Sequence, residues 1–393
     1  MKKYLDKTIF VFLVLWLFID ALNGFLISNN IFLVGSFSLG EGIRIFFILV
    51  LLVGILQTNL DKNSLVFLST IILLFGLFLV QCFYSNEEVI NNLNAVVKIS
   101  LPFLLYVFIS NNYYFSKDRL RVILYVNAAI LLVNLFSSFL GIGFSNYGFS
   151  TGGFMIGGVG FFYAGNEVTG ALLVIYSLLL YLNKKSFVKA LGITLLFFIA
   201  SIALLSKSSI LGTLIIFFVY VYNYPKIKLY KIFSVLLVVF FSIYEYLYKF
   251  ISLGLQRWAY FIDEYGIFTY LSGGIKRKRV FDTYISKIIE NPLLLVFGDG
   301  WSGTAEQNFV DLLDAYGIIG IFIFLLWIYW IFNNYKKVNQ KHDQWYCFYV
   351  MCLVVVVATL AGHIMQSAMI APFVAILANI EILQNNEKYI TTY

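Results

Sequence analysis

Charged residues are scarce in this sequence. They make up 12% of its 393 residues, while 61% are hydrophobic. A soluble domain carries about a quarter charged residues, because it needs them to cover a surface that faces water. The composition therefore excludes a soluble domain and predicts a polytopic membrane protein, since each helix that crosses a bilayer core needs about 20 apolar residues.

Cysteine clusters and nucleotide-binding motifs are also lacking. Cys82, Cys347 and Cys352 lie in or beside apolar runs and form no CxxC or Cys/His spacing, so we expect neither disulfides nor a zinc site. No glycine-rich phosphate loop is present, which argues against an ATP or nucleotide-sugar site. The net charge of +7 is typical of basic cytoplasmic loops. We therefore expect no metal, no cofactor and no nucleic-acid partner.

Apolar runs separated by polar breaks predict an all-α protein of about twelve transmembrane helices. These cover residues 8–27, 42–57, 65–83, 95–110, 122–143, 167–182, 190–205, 209–223, 232–251, 312–332, 346–362 and 368–383. With a cytoplasmic N-terminus, every second loop carries lysine or arginine, as the positive-inside rule requires. Both termini are then cytoplasmic. The chain divides into residues 1–253 with nine helices, a large extracytoplasmic loop at 254–308, and residues 309–393 with three helices.

The large loop carries the most unusual charges of the sequence. Within it, residues 275–290 predict a helix lying along the membrane interface, because apolar side chains recur there at helical spacing until Pro292. Four consecutive cations from Lys276 to Arg279 begin this helix on the side where positive charge is disfavoured. Two interpretations stay open. The run balances nearby acids and touches anionic headgroups, or it binds the pyrophosphate of a lipid-linked substrate, whose oxygens match guanidinium donors.

Three further cations, Arg44, Lys98 and Lys207, lie near the outer ends of predicted helices. An ionisable group in hydrocarbon costs about 2.5 to 3.5 kcal/mol on insertion scales, so it usually faces a polar cavity or a partner. For Arg44 the alternative is an ion pair with Glu41, three residues earlier on the same helix. For both lysines the alternative is that the ammonium group extends to the outer interface.

Acidic residues follow the large loop. Asp311 and Asp314 are three residues apart, so both carboxylates project from nearly one face of the next helix. A carboxylate held where water is scarce has a raised proton affinity and can act as a general base toward a sugar hydroxyl. The alternative is favourable interaction with the helix N-terminus, which explains Glu306 less well. His363 is either a packing residue or a proton carrier.

The arrangement resembles the bacterial O-antigen and capsular polysaccharide polymerases of the Wzy type, and it is similar to the related O-antigen ligases. The likeness extends over nearly the whole chain. Its short motifs are Gly165-Asn166-Glu167, the basic run ending in Arg279, Phe297-Gly298-Asp299-Gly300, Glu306-Gln307-Asn308 followed by Asp311, Tyr316-Gly317-Ile318-Ile319-Gly320, and Ala361-Gly362-His363. Many relatives carry a histidine where this chain has Gln307. Because glutamine cannot act as a base, we favour Glu306 or Asp311 in that role.

The resemblance implies a fold similar to the lipid-carrier-dependent (GT-C-like) glycosyltransferases, at the outer side of the bacterial cytoplasmic membrane. It implies that a repeat unit on undecaprenyl pyrophosphate attacks the reducing-end sugar of a chain on a second carrier. We assign catalysis to Glu306, Asp311 and Arg279. The residues assigned to substrate and pyrophosphate binding are Arg277, Arg44, Lys98, Lys207, Asn166, Glu167, Asn308 and His363.

The expected partners are lipid-linked oligosaccharides and membrane lipids, with a chain-length regulator of lipopolysaccharide or capsule assembly left open. The competing class is a flippase for the same lipid-linked oligosaccharide, which also has about twelve helices. Transporters normally show two related halves. Here the halves look unalike and one outer loop dominates, which favours an enzyme.

Overall fold

The computed structural model is helical and apolar. It describes residues 2–29, 31, 38–84, 89–112, 114–145, 150–151, 154–155, 157–162, 164–224, 248, 252, 256, 259–260, 262–264, 266, 274–301, 308–333, 335–362, 364 and 366–383. Among them, seven helices are long and apolar enough to cross a membrane, or eight if one bent pair forms a single span. The chain is therefore an all-α polytopic membrane protein, and the count of twelve spans stays a prediction.

The helices of the described residues follow the predicted order. They are α1 (Lys2–Val14), α2 (Trp16–Ser28), α3 (Leu39–Ile55), α4 (Lys62–Gln81), α5 (Val89–Ser110), α6 (Lys117–Ser137), α7 (Gly165–Leu182), α8 (Phe187–Leu204), α9 (Lys207–Asn223), α10 (Gly274–Glu290), α11 (Leu294–Phe297), α12 (Asn308–Asn333), α13 (Lys341–Ala361) and α14 (Ala371–Ala378).

Several predicted spans are interrupted or shortened in the structure, and one lies outside the described residues. The run at 8–27 is divided into α1 and α2, which are bent by 57° at Leu15. The run at 368–383 contains the eight-residue helix α14 and a 3-10 turn, Ile380–Leu383. Eight residues rise only about 12 Å, so α14 alone does not cross a bilayer core. The run at 232–251 lies outside the described residues, apart from residue 248.

A side chain from another helix explains the bend between α1 and α2. A break in a membrane helix frees backbone groups that lipid cannot satisfy. Asn127 of α6 donates from its amide to the carbonyls of Leu13 and Val14, at 2.8 and 3.2 Å, and accepts from the backbone N–H of Leu17 at 2.9 Å. The freed groups of the bend are thus paired inside the protein.

Two helices form the centre of the bundle. In both α5 and α7, 78% of the most apolar 18 residues are buried, which is the largest fraction among the candidate spans. Helix α5 packs against α3, α4 and α14, whereas α7 packs against α6, α8, α9, α13 and α14. The short helix α14 therefore touches both central helices.

The glycine-rich segment before α7 forms two small antiparallel ladders. Strand β1 (Phe144–Ser145) pairs with β4 (Gly158–Gly160), and β2 (Ser150–Thr151) pairs with β3 (Phe154–Met155). Gly160 has a φ of +60°, and a Cβ there would lie 2.2 Å from the carbonyl oxygen of Asn134. Glycine at this position lets the segment pack directly on α6.

Candidate functional site

A buried ion pair lies between α2 and α3. The Arg44 guanidinium donates to the Asp20 carboxylate, and the two side chains are only 15% and 7% exposed. The ion pair of Arg44 is thus formed with Asp20 and not with Glu41, the alternative partner considered from the sequence, and the assignment of Arg44 to pyrophosphate stays a prediction. Glu41 instead forms a capping box with Ser38 at the start of α3, where its carboxylate accepts from the Ser38 backbone N–H at 2.9 Å. Its attraction for Arg44 is weaker than that of Asp20.

Two more of the sequence-predicted residues belong to the same group. Glu167, in the first turn of α7, interacts electrostatically with both Asp20 and Arg44, and Lys98 of α5 interacts with Asp20. Glu167 also accepts a hydrogen bond of 2.6 Å from the Ser367 hydroxyl. We call Asp20, Arg44, Lys98 and Glu167 the charged cluster. It joins four helices that are far apart in sequence.

Lys207 and Asn166 lie beside this group. Lys207 begins α9, next to Ser206, and the Ser206 hydroxyl accepts a bond of 3.2 Å from Thr169 in the first turns of α7. Asn166 is half-buried, one residue before Glu167. Helices α7 and α9 pack together, so the ends that carry Lys207 and Glu167 are neighbours.

A second polar region surrounds a break in α12. Gly317 has φ 59° and ψ −145°, which divides the helix into residues 308–316 and 318–333. A Cβ at Gly317 would lie 2.6 Å from the Leu295 carbonyl oxygen and from the Val296 carbonyl group. The break therefore requires glycine and is filled by α11.

The carbonyls freed at this break are paired by the turn that follows α11 and by a side chain of α4. The backbone N–H groups of Asp299 and Gly300 donate to the carbonyls of Asp314 and Ala315, at 2.9 and 3.2 Å. The Gln81 amide donates to the carbonyls of Ala315 and Phe297. Gly298, with a φ of +70°, permits this close approach.

The half-helix at 308–316, which we call the acidic half-helix, carries two of the carboxylates considered as general bases, those of Asp311 and Asp314. Asp311 and Asp314 are only 2% and 4% exposed. Asp311 lies in the first turn, so interaction with the helix N-terminus stays open for it. Asp314 is one turn further on, where that explanation does not apply. Asn308 is fully buried, and its amide nitrogen and oxygen have no hydrogen-bond partner among the described residues.

The predicted helix at 275–290 is present as α10, which packs against α11 and α12, and its position along the membrane interface stays a prediction. Tyr284 is its buried contact and donates to the Leu294 carbonyl at 3.4 Å. Burial raises the pKa of Tyr284 to about 12, and the carboxylate of Asp314 adds to the effect. Lys287 on the same helix forms a 2.7 Å ion pair with Asp299. Helix α10 is thus fixed beside the acidic half-helix.

Helix α5 connects the two regions. Its Asn92 accepts a hydrogen bond from the backbone N–H of Trp301, just after the turn at 298–300. Two residues later, Asn94 donates to Glu41 of α3 at 2.9 Å. Lys98 lies one turn beyond Asn94 on the same face. Helix α5 therefore contacts the loop end beside the acidic half-helix through Asn92, and it contacts α3 through Asn94 on the side that also carries Lys98.

No family model, curated protein or solved structure matches the chain. Its functional assignment therefore depends on the residues and the geometry described above.

Several predicted site residues fall outside the described part of the chain. These are Glu306 and His363, together with the side chains of Arg277 and Arg279, whose backbone lies in α10. Their predicted roles stay predictions. The predicted site residues that the structure describes fall into two groups, the charged cluster with Lys207 and Asn166 beside it, and the acidic half-helix.

Sequence reasoning missed Asp20, the direct partner of Arg44. The signal was present, because Asp20 is an acid inside an apolar run at 8–27 and such residues normally face a protein partner. It also missed Gln81, whose amide completes the break in α12.

Proposed function

We propose that this chain is a glycosyltransferase that polymerises polysaccharide at the outer side of the bacterial cytoplasmic membrane. It would join oligosaccharide repeat units carried on undecaprenyl pyrophosphate and release undecaprenyl pyrophosphate, with both of its termini in the cytoplasm. The observation that carries the proposal is the buried charge of the bundle. The charged cluster includes Lys98 of α5, and Asn92 of the same helix binds the end of the loop that leads to the acidic half-helix, in a chain whose other buried surface is mainly apolar.

The proposed reaction needs two kinds of group. An acceptor hydroxyl attacks the anomeric carbon of the donor sugar, the bond from that carbon to the pyrophosphate oxygen breaks, and the hydroxyl proton passes to a carboxylate. Cations stabilise the charge that develops on the departing pyrophosphate. We assign this role to Arg279 and Arg277, with Arg44, Lys98 and Lys207 as second choices.

The proton acceptor is proposed to be Glu306 or Asp311, and Asp314 joins them as a candidate because it is 4% exposed. A carboxylate that lies beside a bound sugar hydroxyl can accept its proton as a general base. Asn166, Glu167, Asn308 and His363 remain the candidates for binding the sugars. The fully buried Asn308 amide, without a partner among the described residues, offers one donor pair and one acceptor to a hydroxyl-rich ligand.

One observation favours a second candidate, a flippase for the same lipid-linked oligosaccharide. Transporters often use discontinuous membrane helices at their binding sites, and α12 is discontinuous at Gly317. The O-antigen ligase reaction stays a further alternative, since it shares the donor and differs in the acceptor.

Reconstitution separates these alternatives. Purified protein in liposomes is supplied with lipid-linked repeat units, and products are resolved by size. A polymerase gives a ladder of longer lipid-linked chains, a flippase gives only transbilayer movement of single units, and a ligase gives product only with an added acceptor. Arg279→Ala should abolish the ladder, whereas Lys189→Ala, an exposed residue of the opposite predicted face, should not. A normal ladder with Arg279→Ala would exclude the assigned role of Arg279.

A further inference from the structure

A cavity of about 420 Å³ lies at the end of the bundle opposite the predicted catalytic side. This volume lies within the range of about 300 to 1,000 Å³ that is typical of ligand sites. Its wall consists of Lys117, Arg121, Tyr181, Leu182, Lys184, Lys185, Asn339, Gln340, Asp343 and Leu383. These residues come from three predicted cytoplasmic loops and the helix ends beside them, between α5 and α6, between α7 and α8, and between α12 and α13. Leu383 is added from the 3-10 turn after α14.

Positive charge dominates this cavity. Lys117 at the start of α6 lies within electrostatic range of Arg121, Lys184 and Lys185, all of which repel it. Among the described residues of the wall, Asp343 is the only one with a carboxylate, and it is fully buried. Four cations around one cavity repel each other unless an anion or a carboxylate lies among them.

Asp343 forms an ion pair with one of these cations. Its carboxylate is paired with the Lys184 ammonium, and it accepts hydrogen bonds from the hydroxyls of Tyr224, at 2.7 Å, and Tyr181, at 3.5 Å. With three partners, this carboxylate has little capacity left for the cavity. Arg121 pairs with Asp118 at 3.4 Å, but both side chains are exposed, at 45% and 87%, so water weakens that pair.

The remaining wall suits a phosphate ester better than a bare ion. Asn339 and Gln340 supply amide groups beside the cations, and Leu182 and Leu383 supply apolar surface. The site also lies at the ends of three candidate spans, since α6 begins at Lys117, α7 ends at Leu182 and α13 begins at Lys341. Helix ends of this kind lie at the depth of lipid headgroups.

We propose that this cavity binds a phosphate ester, with the headgroup of an anionic phospholipid of the inner leaflet as its source. Arg121 and Lys117 bind the phosphate oxygens, Lys185 adds charge at the rim, and the leucines contact the glycerol and the first acyl carbons. Basic pockets between membrane helices on the cytoplasmic side are suited to such headgroups. The inference is independent of the proposed polymerase activity.

The test is lipid retention by the purified full-length protein. Native mass spectrometry counts bound phosphatidylglycerol against phosphatidylcholine, and calorimetry measures binding of glycerol 3-phosphate and inorganic phosphate. The variant is Lys117→Gln with Arg121→Gln. The matched control, Lys62→Gln with Lys189→Gln, removes two exposed cations of the predicted cytoplasmic loops that do not line the cavity.

We expect selective retention of phosphatidylglycerol, weakened about 30-fold by the double variant, because each basic group near a membrane surface contributes about fivefold. The control should bind as the unaltered chain does. If the soluble phosphates bind with the same sensitivity to the variant, the phosphate site stands and its source is a soluble ester. Equal binding by the variant and the control overturns the proposal. Lys185→Gln, at an exposed rim position, gives the same test should the double variant fail to fold.

Discussion

The ion pair between Asp20 and Arg44 permits a quantitative test of the charged cluster. We consider Asp20→Asn, Arg44→Gln and the two changes combined. Removing one member of a buried pair costs about 3 to 5 kcal/mol, because the other charge stays buried without its partner. Both side chains meet this condition, at 15% and 7% exposure.

The neighbours predict which single change costs more. After Asp20→Asn, Arg44 still interacts with Glu167 and Glu41, so we expect a loss of about 3 kcal/mol. After Arg44→Gln, Asp20 faces the like charge of Glu167 with only the weaker attraction of Lys98, so we expect about 5 kcal/mol. The double variant should recover most of this loss, since no unpaired charge of the pair remains.

Unfolding of the detergent-solubilised protein by increasing SDS fraction, followed by tryptophan fluorescence, measures these values. The exposed pair of Arg121 and Asp118 provides the control, and the equivalent cycle there should give less than about 1 kcal/mol. A cost below 1 kcal/mol for both single changes at Asp20 and Arg44 would refute the reasoning. The polymer ladder then separates two roles for Arg44. A stable double variant without polymer indicates that Arg44 binds substrate, whereas normal polymer indicates a structural role alone.

Three further predictions follow from the breaks and the loop. Asn127→Leu removes three hydrogen bonds at the bend of α1 and α2, and at about 0.6 to 1.7 kcal/mol each it should cost about 2 to 5 kcal/mol in the same SDS assay. Gly317→Ala should cost about 3 kcal/mol or more, because its backbone conformation and the 2.6 Å approach exclude a Cβ, whereas Gly76→Ala, with no atom within 4 Å, should be nearly neutral. Burial and Asp314 raise the pKa of Tyr284 from 10.0 to about 12. The stabilisation of the folded protein by the neutral Tyr284 hydroxyl is complete below pH 10 and is lost as the pH rises to 12. The melting temperature of Tyr284→Phe should therefore fall less steeply between pH 10 and pH 12 than that of the unaltered chain. An unchanged slope for that variant would contradict the assignment.

The sequence predicts the helices well where apolar runs are bounded by polar residues. The helix at 275–290 ends as expected before Pro292, because proline cannot continue it. The basic loops are also informative, since residues of three predicted cytoplasmic loops line one cavity.

The breaks in the helices and the partners that are distant in sequence could not be predicted from the sequence. The apolar run around Leu15 continues through the bend, because the groups that stabilise the bend come from Asn127, more than 100 residues later. Gly317 lies in an apolar run as well, and only the packing of α11 shows why that glycine is needed. The sequence predicts that Arg44 faces a polar cavity or a partner, but the choice of Asp20 over Glu41 depends on how α2 packs on α3.

The turn at 298–300 has a mechanical consequence for α12. Because its N–H groups and Gln81 pair the carbonyls of Asp314 and Ala315, residues 308–316 are attached to the loop more directly than to the remainder of their own helix. We therefore expect a displacement of this turn to move Asp311 and Asp314 together, with Gly317 as the point where the helix would bend.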